Sequence, residues 1–232
     1  MSYLNTRLTK SASDDSYDFI RQNIAPAVAA AGISIPQAWI GHQLLKSGPD
    51  SYEGAENVLK GMQDVWRELG VSRAKDYAKD VIKSPHYNPL DSTIYADVDN
   101  LGILAHETGH AMNDKSIKSL LGKPGSIAHK ALYGTGRLGV MAGGAAASLA
   151  ALLGLEDDTV KNIGITGTAL SAPMLAEELV ASARGARMLR KLKAPLKSRL
   201  GAFGGIPTYL LAAASPMAPW LGMKVYDKTV ED

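Results

Sequence analysis

The stretch LGILAHETGHAMN, residues 101–113, decides how the rest of the chain is read. It contains no proline, and its apolar residues Leu101, Ile103, Leu104 and Ala105 predict a buried helix from about Asn100 to Met112. Residues four apart share a helix face. His106 and His110 are therefore expected to aim imidazole nitrogens at one ion, with Glu107 about 100° further round the helix. The pattern H-E-x-x-H suits hydrolysis: two neutral imidazoles hold Zn²⁺, and a neighbouring carboxylate acts as general base on a water. His106 and His110 are the expected metal ligands, and Glu107 is the expected catalytic residue.

A catalytic zinc site needs a third protein ligand. A histidine six residues after His110 would continue one familiar pattern, but Asn113 and Ser116 stand at the positions it requires. The chain has no cysteine, so thiolate ligands, disulfides and cysteine nucleophiles are excluded. The remaining source is a carboxylate. The segment PMLAEELVASARGARML, residues 173–189, offers Glu177 and Glu178 among small apolar neighbours, where a buried carboxylate is costly without a cation. Glu178 is the expected ligand because Ser182 follows one turn later and could orient His106 or His110. Glu177 is held in reserve.

Upstream of this stretch, Val58, Leu59, Met62, Val65, Trp66 and Leu69 recur at helical spacing, and Gly70 ends the run. A second helix fits Ser72 to Lys83, and others fit Ser16 to Ala31 and the region of Trp39 to Leu45. The run STIYAD, 92–97, is the one convincing strand. Three uncharged stretches follow: Leu138–Leu155 with Gly139 and Gly143 in G-x-x-x-G spacing, Asn162–Ala176, and Leu200–Met223 interrupted by three prolines. The first and third approach the length of a membrane span. The basic run from Arg184 to Arg199 would suit anionic lipid.

The whole is expected to be mainly α with a minor β part: a zincin-like helical domain, a short strand beside the H-E-x-x-H helix, and Gly/Ala-rich apolar helices. Residues 1–83 read as an N-terminal helical region and 84–232 as the metallopeptidase core, together one continuous domain. Hydrophobic residues are 46% of the chain, and Phe occurs only twice, which disfavours a β-sandwich. The net charge of +2 points to no nucleic-acid partner. The polar N-terminus shows no secretory signal. His42 and His129 read as ordinary helix histidines. His86, in the loop before the strand, could approach the site, and Tyr87 could stabilise a transition state.

The order His86-Tyr87-Asn88-Pro89, short strand, HETGH, then Glu178-Leu179-Val180-Ala181-Ser182 resembles the YugP-type neutral zinc metallopeptidases, relatives of the CAAX-prenyl-protease and HtpX-like gluzincins. The resemblance covers roughly residues 84–192, with Asn88 where that family has Asp. It implies Glu178 as third ligand, a strand at 92–97 that pairs with an extended peptide substrate, and membrane association with a cytoplasmic active site. The contrasting expectation is a non-catalytic structural or membrane-interacting protein, such as a viral-particle component, that keeps the scaffold and uses zinc as a staple.

Overall fold

The computed structural model describes residues 52–74, 85–96 and 100–231. The expected helices before residue 46, His42 and most of the Ser72–Lys83 helix lie outside the described residues, as does the expected boundary at 83/84. The described chain is mainly helical, with one small sheet. It forms two compact units. Residues 52–74, 85–96, 100–134 and 173–209 belong to one, which carries the H-E-x-x-H helix. Residues 135–172 and 210–231 belong to the other.

The site-bearing unit begins with α1 (Ala55–Leu69), an amphipathic helix closed by Gly70 in the left-handed region at φ 69°. Three short strands follow: β1 (Ser72–Ala74), β2 (His86–Asn88) and β3 (Thr93–Tyr95). β3 is central, parallel to β1 and antiparallel to β2. Three sequence readings are corrected here. The helix expected from Ser72 starts as a strand, because Ser72, Arg73 and Ala74 pair with Thr93, Ile94 and Tyr95. STIYAD is one strand of three. And β3 has both edges taken by its own chain, so it has no hydrogen-bonding edge left for a substrate strand.

Next comes α2 (Leu101–Leu152), which runs well past the Met112 expected from the sequence and breaks at Gly122. Gly122 has φ 65° and ψ −168°, a combination essentially reserved for glycine. Pro124, early in the second arm, has no N–H to leave unpaired there. The break reverses the chain. Twenty-three residues of unbroken helix would separate His110 from Tyr133 by about 34 Å, yet their rings lie 6.5 Å apart. Ser126 likewise returns to donate to Asp114 Oδ1 at 3.2 Å.

Helix α4 (Ala172–Lys191) lies against the first arm of α2. Glycine makes that approach possible. A Cβ on Gly109 would fall 2.0 Å from the Ala181 carbonyl oxygen, and one on Gly185 would fall 2.3 Å from that of Ala105. The pairs Ala105/Gly109 and Ala181/Gly185 each sit one turn apart, so two backbones touch along a full turn. The core beneath is built from Val58, Met62 and Trp66 of α1, Ile94 of β3, Leu104 of α2 and Leu189 of α4. Each large apolar side chain buried there contributes about 1.5–3 kcal/mol relative to exposure. Thr108, fully buried, faces α1: Trp66 Nε1 donates to its Oγ1 at 2.8 Å, and that hydroxyl donates to the Leu104 carbonyl. The back of the H-E-x-x-H helix is thereby fixed, which sets the direction of its histidines. Gly109→Ala is expected to cost about 1–3 kcal/mol through overpacking, lowering the melting temperature by about 2–4 °C per kcal/mol. It should also weaken metal uptake, because Glu178 moves with α4. Thermal melts and metal titration of the variant check both.

The other unit contains the end of α2, α3 (Asp157–Leu170), a 3₁₀ turn at Ser215–Met217 and α7 (Ala218–Glu231); α5 (Leu196–Gly201) belongs to the site-bearing unit, and α6 (Ile206–Ala214) has residues in both. Its core is Ala150, Ala151, Val160 and Met223. The G-x-x-x-G pair packs within this unit: a Cβ on Gly143 would meet Gly167 Cα at 2.6 Å, and one on Gly139 would meet Leu170 Cβ at 2.6 Å. The uncharged stretch Leu138–Leu155 is the end of α2 plus a turn, and Leu200–Met223 is divided among four short elements. Among the described residues no helix is long and apolar enough to cross a membrane.

Candidate metal centre

One turn of α2 and one of α4 meet at a common point. His106 Nε2 lies 3.1 Å from Glu178 Oε2, His110 Nε2 lies 3.4 Å from it, and the two Nε2 atoms are 3.3 Å apart. A tetrahedral ion with bonds of about 2.0–2.1 Å needs neighbouring ligand atoms about 3.3–3.4 Å apart. The three observed edges match that triangle. The carboxylate is fully buried, and its Oε2 has no hydrogen-bond partner among the described residues. A buried acceptor with two imidazole nitrogens aimed beside it is a group that a bound cation would satisfy. His106, His110 and Glu178 can hold a metal ion. No fourth protein ligand joins them among the described residues.

The other ends of the ligands are held as firmly. His110 Nδ1 lies 3.0 Å from Glu177 Oε1, and since a carboxylate only accepts, Nδ1 donates. This leaves Nε2 for the ion. His106 Nδ1 lies 3.0 Å from Ser182 Oγ, and Tyr133 donates to Glu178 Oε1 at 2.6 Å. Glu177, the reserve ligand, is therefore not part of the triad. It is gripped by His110, by Asn113 Nδ2 at 2.9 Å and by His129 Nε2 at 3.0 Å.

Three of these partners were not read from the sequence. Asn113 lies one turn beyond His110, and that spacing was the available signal. His129, read as an ordinary helix histidine, and Tyr133 reach the site only because Gly122 folds the second arm back. The signal there was the cluster Gly122, Pro124 and Gly125 inside an apparently helical run.

Two further expected site residues have partners outside the triad. His86 is in β2 rather than a loop, stacked on Tyr95 with ring centroids 4.9 Å apart and planes within 14°. The Tyr87 hydroxyl donates to Asp114 Oδ2 at 3.2 Å. Burial and then the Asp114 charge push its phenol up to about 12. Asp114 also receives Lys118 at 2.6 Å and Ser126, so it ties β2 to both arms of the hairpin. Tyr87 is part of that tie. Glu107 is buried, and its charge acts on His110.

Burial would lower the His110 imidazole, but Glu177, Glu178 and the Glu107 charge outweigh it and raise it to about 10. Burial raises Glu178, and the two imidazoles beside it more than reverse this, holding it well below the usual carboxylate range. In the metal-free chain a proton on His110 thus occupies the place of an ion's charge. Its folded value lies above its unfolded one, so its contribution to metal-free stability is full below pH 6.5 and is lost as pH rises toward about 10. Metal must expel that proton. Zinc uptake at pH 7 is expected to release at least one proton, and apparent affinity to strengthen about tenfold per pH unit between pH 7 and 9. Calorimetry in buffers of different ionisation enthalpy measures the proton count.

No family model, curated protein or solved structure matches this chain. The centre's chemistry stands on its own geometry.

Proposed function

We propose that the chain is a zinc-dependent peptidase. The observation that carries this reading is the triangle of His106, His110 and Glu178, with Glu107 one residue along the same helix turn and no fourth protein ligand among the described residues. A closed four-ligand set would favour a structural staple, and a three-ligand set fits hydrolysis. When bound there, zinc supplies a Lewis acid that polarises a carbonyl and acidifies water. The chain's own part is to place and neutralise charge. Glu107 takes a proton from the attacking water as the C–O bond forms and then gives it to the amine nitrogen, whose C–N bond breaks as it leaves, so no net proton is consumed. Glu177 and Ser182 hold the two imidazoles in the orientation that leaves both Nε2 atoms for the ion.

The substrate class is a peptide or protein. Association with a membrane surface belongs to the same reading, supported by the exposed side chains of Leu138, Met141, Leu149 and Leu153 on α2 and the turn after it. The test is metal removal. Purified chain is expected to contain zinc by elemental analysis and to cleave an unstructured protein substrate. A strong zinc chelator should abolish cleavage, and stoichiometric zinc should restore it. Cleavage that persists in metal-free protein sinks the proposal.

A further inference from the structure

A cleft of about 330 Å³ runs beside the metal centre, entirely within the site-bearing unit. Its volume sits in the lower part of the range of small-ligand pockets, about 300–1,000 Å³. At one end are Glu177 and Tyr133, which touch His110 and Glu178. The walls are apolar, from Ile117 and Leu132 on the two arms of α2 and Val180 on α4. At the other end stands Arg184, two turns beyond Glu177 on the same face of α4.

Arg184 is half-buried. Its Nη1 donates to the Met112 carbonyl at 2.8 Å and to Ser116 Oγ at 2.7 Å, which fixes the side chain. Among the described residues it forms no ion pair with a carboxylate, in contrast to Lys118, Lys130 and Lys224. An oriented guanidinium with no acid beside it among the described residues, lining an apolar cleft, is complementary to a carboxylate. Two helical turns span about 10 Å, or two to three residues of extended peptide at about 3.3–3.6 Å each.

Building on the peptidase reading, we propose that this cleft is the specificity pocket: it takes an apolar side chain of the substrate and, two or three residues from the metal end, a carboxylate that pairs with Arg184. The carboxylate is either the free C-terminus of the peptide or an acidic side chain.

The test separates these sources and separates the cleft from the chemistry. Binding of N-acetyl-leucyl-leucine and of its C-terminal amide to zinc-loaded Glu107→Gln protein is measured by calorimetry. A third probe is an amidated peptide with Asp in place of the last Leu. The acid is expected to bind at least about tenfold tighter than the amide. Recovery of that gain by the Asp peptide assigns the recognition to side-chain carboxylates, and failure to recover it assigns it to the C-terminus. Arg184→Gln should erase the difference, and Arg184→Lys, which keeps charge and reach, should retain much of it. In the wild-type enzyme the same preference should appear in KM with little change in kcat. Equal binding of all three probes overturns the proposal. So does an unchanged preference in an Arg184→Gln protein that still holds zinc. A carboxylate preference in binding without hydrolysis by wild-type protein supports the cleft while removing the peptidase reading, and hydrolysis indifferent to the carboxylate does the reverse.

Discussion

Glu107→Gln is expected to keep the full zinc content and to lower kcat/KM by about 10²–10⁴-fold, the range over which a positioned general base contributes. The amide has nearly the same shape as the carboxylate, and Glu107 is not among the three residues that converge on the ion position. Metal binding and chemistry should therefore separate in this variant. Its charge also raises His110, so the substitution should ease proton loss from that imidazole and leave zinc affinity equal or slightly higher. Elemental analysis with steady-state kinetics on one peptide measures both properties. A variant with wild-type turnover would show that Glu107 is not the base, whatever the metal does.

Glu178→Gln is expected to abolish stoichiometric zinc binding. The carboxylate is fully buried, its Oε2 completes the 3.1–3.4 Å triangle with the two imidazoles, and it is the only negative charge in that triangle. The amide keeps the volume and can still accept the Tyr133 hydroxyl, so the fold should survive and the loss is read as a loss of charge. The drop in affinity should exceed the roughly 10–100-fold that follows from losing an outer hydrogen-bond partner of a ligand. Glu177→Gln supplies that smaller reference, because it holds His110 from the far side of the ring. Competition titration with a coloured zinc chelator ranks the three proteins. Equal affinity for wild type and Glu178→Gln would remove Glu178 from the ligand set.

The two carboxylates differ in sequence by one position and in role by one side of an imidazole. Sequence spacing alone placed both on the same helix and favoured Glu178 through its relation to Ser182. What separates them physically is the angle at which α4 crosses α2, and that is set by the backbone contacts at Gly109 and Gly185. A residue-by-residue reading sees two glycines and cannot know that they face each other.

The same holds for the hairpin. HETGH announces its own geometry because all of its residues lie within one local turn, where 3.6-residue periodicity fixes directions. His129 and Tyr133 belong to the same centre through a reversal at Gly122. Periodicity continues on both sides of that break, so the pattern reads as uninterrupted helix. Two of the three strands were illegible for a related reason. β1 and β2 are three residues each and gain their hydrogen bonds only from β3, a partner distant in sequence. Short strands of that kind carry little local signal.

By itself, the sequence determined the helical class, α1 and its glycine stop, and the placement of two imidazoles and a carboxylate on a single turn. These are local properties, decided by side-chain periodicity and backbone freedom within a few residues. Packing alone settles which distant acid meets those imidazoles, which groups hold the far side of each ring or carboxylate, and that β3 is enclosed by its own chain. Those depend on helix crossings and chain reversal, where contact between residues tens of positions apart is a property of packing and leaves no spacing to read.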